Sequence, residues 1–137
     1  MPENPIRSPL PHVPTVLLVD DEPHIRNVMS FKLKKQGLNV LTAENGIEGF
    51  ETARLMQPDL VVSDMQMPRC TGLEMCHKLA GDDATVKIPI IMVTSREFEI
   101  GPEETAGTNV RAVIGKPFSP SELLKLVQQH LSLRKSA

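Results

Sequence analysis

Beyond residue 14 the chain alternates between short continuous apolar runs and segments whose apolar residues recur at helical spacing. Val16 to Val19, Asn39 to Thr42, Leu60 to Ser63, Ile90 to Val93 and Val110 to Ile114 are the runs, rich in Val, Ile and Leu. Their continuity fits strands buried on both faces, whereas a half-exposed antiparallel strand would alternate apolar with polar. The intervening segments predict helices over Pro23 to Gln36, Ile47 to Met56, Gly72 to Leu79, a short stretch within Phe98 to Ala106, and Pro120 to Leu131. Strand and helix thus alternate through five repeats of a βα unit, which predicts one α/β domain: an open, doubly wound parallel sheet of five strands.

Punctuation supports these boundaries. Gly37 is suited to a left-handed cap after the first helix, and Asn45-Gly46 turns into the second. Thr71 can cap the third helix, and Ser119-Pro120 puts a proline in the first turn of the last. Gly101-Pro102 breaks any helix begun at Arg96, so the fourth helix should be short and late.

Length and composition narrow this further. A chain of 137 residues with 40% hydrophobic content can bury one core, so the expected division is an arm over 1–14, a domain over 15–131 and a tail or linker over 132–137. Five of the 12 prolines lie in Met1 to Pro14, which predicts an extended arm outside the fold or a docking tail. Net charge is -2, from 15 basic and 17 acidic residues, so no polybasic surface argues for nucleic acid or an anionic membrane. No run approaches a membrane span and the N-terminus lacks a signal-peptide core, which predicts a cytoplasmic chain. Cys70 and Cys76 are too few for a disulfide framework and lack metal or redox spacing, so both read as reduced packing residues.

Candidate chemistry lies just after the strands, where ligands sit in an open parallel sheet. Asp20 and Asp21 follow the first strand, Asp64 the third, Thr94 and Ser95 the fourth, and Lys116-Pro117 the fifth. Adjacent carboxylates at the tip of a buried strand resist desolvation and raise one another's pKa, so they persist best beside a cation. Oxygen ligands of this kind suit a hard divalent ion of the magnesium type. Thr94 and Lys116 add a hydroxyl and an ammonium fit for a phosphoryl group bound beside the metal. An isolated Asp-Asp at a strand end is more often a helix cap with a solvated turn, and it is the joint placement at four strand ends that favours chemistry.

"VLLVDDEP", "PDLVVSDMQMPRCTGLE", "IPIIMVTS" and "VIGKPF" resemble, in residues and in spacing, the motif set of the receiver domains of two-component response regulators, over roughly Thr15 to Leu131. The resemblance implies a flavodoxin-like, CheY-like fold with strand order 2-1-3-4-5. It implies that Asp64 takes a phosphoryl group from a phosphohistidine on a sensor histidine kinase or a histidine phosphotransfer protein. Mg2+ (or Mn2+) is then held by Asp20, Asp21, Asp64 and the backbone carbonyl of Gln66, while Lys116 and Thr94 bind phosphoryl oxygens. It further implies a cis bond before Pro117, roles for Arg96 and Gln66 in phosphoryl lifetime, switch or modulating positions at Ser95, Arg96, Val113 and Pro117, and a switched α4–β5–α5 surface that engages a downstream target or output domain. It leaves open a phosphorylation-dependent dimer.

Other residues weigh differently. Met65 and Met67 flank the site, but thioethers are poor ligands for a hard ion, so packing is expected of them. His24 and His77 lack ligand spacing and read as surface residues. Val113 stands where receivers usually carry Tyr or Phe, and the chain has no Tyr or Trp, which puts an aromatic rotamer switch in doubt. A turnover phosphatase of the haloacid-dehalogenase-like kind generally has a second Asp two residues after the nucleophile, where this chain has Gln66. The expectation is a phosphoacceptor switch and not an enzyme, with a degenerate scaffold, or the N-terminal receiver of a larger regulator, as alternatives.

Overall fold

The computed structural model describes residues 13–67, 69–95 and 100–136, the last four of these by backbone alone. The elements run β1 (Thr15–Val19), α1 (Pro23–Lys35), β2 (Asn39–Ala43), α2 (Gly46–Met56), β3 (Leu60–Asp64), α3 (Gly72–Ala80), β4 (Ile90–Thr94), α4 (Pro102–Thr105), β5 (Val110–Gly115) and α5 (Pro120–Ser136). All strands are parallel, in the order β2-β1-β3-β4-β5. The fold is the α/β, doubly wound, CheY-like sheet that the motif order implies.

Successive strand residues point to opposite faces, and here both faces are apolar. Val16 and Leu18 of β1, Leu60 and Val62 of β3, and Ile91 and Val93 of β4 meet Met29 and Leu33 of α1 and Leu123, Val127 and Leu131 of α5. Leu17, Val19, Val61, Ile90 and Met92 face Ala53 of α2 and Met75, Cys76 and Leu79 of α3. This two-sided burial explains why β1, β3 and β4 read as continuous apolar runs, while the edge strands β2 and β5 are more exposed; each fully buried side chain of this size stabilises by about 1.5–3 kcal/mol.

The cap signals resolve into specific bonds. Asn45 Oδ1 accepts from the Glu48 amide at 2.9 Å. Thr71 Oγ1 accepts from Glu74 N at 3.1 Å while Glu74 Oε1 accepts from Thr71 N at 2.8 Å, a capping box. Ser119 and Glu122 make the same reciprocal pair, at 3.2 and 2.9 Å. Gly37, at φ +83°, follows α1.

One boundary differs from expectation, while the fourth helix is short and late as expected. Helix α5 continues to Ser136, so most of the predicted tail is helical; Ser132 to Ser136 contains neither Gly nor Pro to stop it. Helix α4 is a single turn, Pro102–Thr105, since Pro102 can begin a helix but cannot sit within one begun earlier.

One glycine sets how close α3 approaches the sheet edge. A Cβ at Gly72 would run into the carbonyl oxygen of Asp64 and lie 3.0 Å from Met65 Cα, and neither backbone atom can move aside cheaply. Gly72 N also donates to Met65 O at 2.9 Å. Gly72→Ala is expected to lower unfolding free energy by about 1–3 kcal/mol in urea denaturation; an unchanged midpoint would show that this approach is not constrained.

Candidate phosphoryl and metal site at the carboxyl edge

The strands bring their C-terminal residues to one edge, and the backbone there is bonded across the strand ends. Met65 N donates to Val93 O at 2.8 Å, Lys116 N to Thr94 O at 2.9 Å, and Asp20 N to Ala43 O at 3.1 Å. Asp20, Asp21 and Asp64 each present a carboxylate oxygen, all within 4.8 Å of one another. Asp20 and Asp64 are only 5% exposed, whereas Asp21 lies in solvent. Lys116 Nζ is 3.2 Å from Asp64 Oδ1, and the Lys116-Pro117 peptide is cis.

The electrostatics follow from burial. Desolvation pushes the Asp20 carboxyl above its ordinary value of 3.8, an effect opposed by the Glu22 amide and reinforced by Asp64. Desolvation likewise raises Asp64, against the pull of the Lys116 ammonium and the Gln66 amide. Three anionic oxygens at this separation suit a hard cation that keeps some of its waters, so the residues present fit a divalent metal. Lys116 offsets part of that charge, and its half-exposed ammonium can also reach an anionic group delivered from solvent.

The remaining candidates fall around this cluster. Thr94 is fully buried at the end of β4, paired in register with Gly115. The Gln66 amide faces Asp64 Oδ1 at 3.4 Å, and Gln66 Oε1 accepts from Ser95 Oγ at 3.2 Å, which joins the loops after β3 and β4 across the mouth of the site. Val113 is partly buried against the same core as Met65 and Ile100. Arg96 lies outside the described residues.

Met67, Cys70 and Cys76 are buried; both cysteines are free, and burial pushes the Cys76 thiol up to about 12. His24 is exposed on a groove beside Lys116, and His77 Nε2 lies 3.1 Å from the Glu104 carbonyl, joining α3 to α4. Sequence reasoning passed over Arg26, whose Nη1 donates to the Asp20 carbonyl at 2.7 Å. Its signal was a cation in the first turn of α1, a turn without an acidic residue and one where the helix dipole disfavours positive charge.

Residues 16–128 match the family model of the response regulator receiver domain. Protein PilH of Pseudomonas aeruginosa is 34% identical over 117 residues, covering 85% of this chain and 97% of its own length. The solved structure of the chemotaxis response regulator CheY4 of Vibrio cholerae superposes with a TM-score of 0.77 at 33% identity, over 87% of this chain and 99% of that one. The receiver domain of sensor histidine kinase PA1611 from Pseudomonas aeruginosa, solved with magnesium in its active site cleft, shares the fold at a TM-score of 0.79 and 22% identity, over 88% and 99% of the two chains. The chain spans about half or less of the length of several other curated relatives it matches.

Because Asp20 and Asp64 hold their protons more tightly in the folded than in the unfolded chain, raising the pH above 3.8 removes stability from the cation-free protein until both are ionised. A cation must displace those protons. Mg2+ affinity, measured by calorimetry, is therefore expected to begin falling with decreasing pH above the 3.8 of a solvated aspartate, with proton release on binding. An affinity that stays constant until the pH nears 3.8 would contradict the desolvation of this pair.

Proposed function

The chain belongs to the response regulator receiver domain family of two-component signalling, and from that premise we propose that Asp64 is its phosphoacceptor. The supporting observation is the convergence of three carboxylates within 4.8 Å of one another, with Lys116 Nζ 3.2 Å from Asp64. The donor is a phosphohistidine on a sensor histidine kinase or a histidine phosphotransfer protein. An Asp64 oxygen bonds to phosphorus as the P–N bond breaks and the imidazole departs. Mg2+ (or Mn2+), when bound, offsets the charge of nucleophile and phosphoryl group together. Asp20, Asp21, Asp64 and the Gln66 carbonyl are its ligands in this reading. Lys116 and Thr94 receive the phosphoryl oxygens, and the groove of Ile25, Val28, Met29 and Phe118 beside Lys116 seats the donor.

The product acts as a switch, in keeping with a family of signal switches and not of turnover enzymes. We assign the protein to the cytoplasm, where such donors present their phosphohistidines; among the described residues no helix is long and apolar enough to cross a membrane.

The acceptor assignment is tested by labelling with acetyl phosphate and Mg2+. Asp64→Asn should abolish labelling, and Asp21→Ala should remove its Mg2+ dependence, since the ion loses one of few protein ligands. Undiminished labelling of the Asp64→Asn protein would sink the assignment.

The output is expected at the α4–β5–α5 surface. Val113 is too small to fill the space vacated if Thr94 moves towards a phosphoryl group, so the change passes to the segment before and through α4. Helix α4 itself is weakly held: none of its residues is buried, and its main chain is tied by Glu104 N to Gly101 O at 3.1 Å, Thr108 N to Thr105 O at 3.0 Å and the contact of His77 Nε2 with the Glu104 carbonyl at 3.1 Å. Hydrogen exchange with beryllofluoride and Mg2+ should alter protection over residues 100–107. Changes confined to the loops bearing Asp64 and Asp20 would place the switch elsewhere.

A further inference from the structure

Asp20 is fixed by the protein at nearly all of its polar groups. Its amide donates to the Ala43 carbonyl at 3.1 Å, anchoring the end of β1 to the end of β2. Its Oδ1 accepts from the Glu22 amide at 2.9 Å, and its carbonyl accepts from Arg26 Nη1 at 2.7 Å. Among the described residues no hydrogen-bond donor holds the other carboxylate oxygen. The first two bonds are local consequences of strand pairing and of the turn into α1. The third is different, because it comes from a side chain six residues away that the helix needs for nothing else.

Arg26 sits in the N-terminal turn of α1, where a cation opposes the helix dipole. Helix formation therefore does not explain it. Its guanidinium bonds the main chain of Asp20 and leaves the carboxylates to one another. It is half-buried against the turn, and it bridges from the rigid helix to the point where the chain leaves β1. A carbonyl held in this way restricts rotation of the peptide between Asp20 and Asp21, which in turn sets where the Asp21 side chain begins.

We propose that Arg26 is a positioning residue for the cation site: by anchoring the Asp20 carbonyl to α1 it presets the turn so that Asp20 and Asp21 face Asp64 before a cation arrives. The inference rests on the reading of this triad as a Mg2+ site. Partners one shell removed from a metal typically alter its affinity by about 10–100-fold when removed, because the ligands must then be ordered on binding.

The test is a Mg2+ titration of the full chain by calorimetry, with no phosphodonor present. Arg26→Met should raise the Mg2+ dissociation constant by roughly tenfold or more, and Arg26→Lys, which keeps a donor of similar reach, should lose clearly less. In the cation-free protein, Arg26→Met should also speed hydrogen exchange at the Glu22 amide, which the Asp20 carboxylate otherwise protects. Should Arg26→Met fail to fold, Arg26→Gln, whose amide falls short of the Asp20 carbonyl, carries the same expectation. A constant within about twofold of the wild type, with only the urea midpoint lowered, would overturn the proposal and leave Arg26 a stability residue. Equal losses for the Lys and Met variants would also overturn it, since the hydrogen bond would then not be the cause. If the wild type itself does not bind Mg2+, it is the reading of the triad that fails, a result separable from any difference among the variants.

Discussion

Two aspartates, Asp20 and Asp64, are almost removed from water at the carboxyl edge of the sheet, and the arrangement around them follows from the need to keep them ionised. A desolvated carboxylate gains a proton unless donors or cations oppose it. The opposition here is divided. Backbone amides of Glu22 and Gln66 face the two groups, and the Lys116 ammonium lies 3.2 Å from Asp64. The compensation is incomplete, since both groups remain raised by burial. A site left short of positive charge suits a divalent cation, and in the function proposed for this chain that deficit links the acidic pair to a metal-dependent phosphoryl transfer.

The parallel sheet supplies the rest. Because every strand runs in the same direction, residues far apart in sequence reach one edge with their backbone directions aligned, and bonds such as Lys116 N to Thr94 O fix neighbouring strand ends in register. Covering helices hold the strands on both faces, so this edge inherits the rigidity of two cores. Gly72 shows how little slack remains, for the start of α3 lies so close to Asp64 that a single methyl group has no room. Positioning of this kind is most of what phosphoryl transfer asks of a protein.

Much of this was legible in the sequence. Buried parallel strands need continuous apolar runs, so the polar residues that end them are visible in the sequence, and Asp20, Asp21, Asp64, Thr94 and Lys116 stood out because they follow four strands that meet at one edge. The Thr71 cap was equally readable, and Asn45 and Ser119, read as helix starts, prove to be caps bonded to the amide three residues on. What was not legible depends on contacts between segments. The Arg26 bond to the Asp20 carbonyl requires the path of the turn, and the Ser95–Gln66 bond requires two loops to meet. The extension of α5 to Ser136 was missed because Ser132 to Ser136 carries a single apolar residue, Leu133, too little to show a helical pattern in the sequence.

The position occupied by Val113 changes how the site can speak to the surface. An aromatic ring can sit either in a pocket or on a surface, and so reports the position of a neighbouring hydroxyl as a large displacement. A valine has one strongly favoured rotamer in most settings and no length with which to do this. Val113, like Met65 and Ile100, is instead packed against the margin of the core that lies against α2 and α3. Met65 belongs to the loop after Asp64, and Ile100 leads into α4, so the core against which all three side chains rest lies between the carboxyl edge and the one-turn helix. At its far side that helix meets α3 through His77 and the Glu104 carbonyl. Packed side chains transmit displacement because close-packed interiors compress little. Where the lever is short, the element at its end must be the part that yields, and a single exposed turn between Gly101 and Gly107 yields more readily than β5 or α5, whose residues are tied into the sheet and the opposite core.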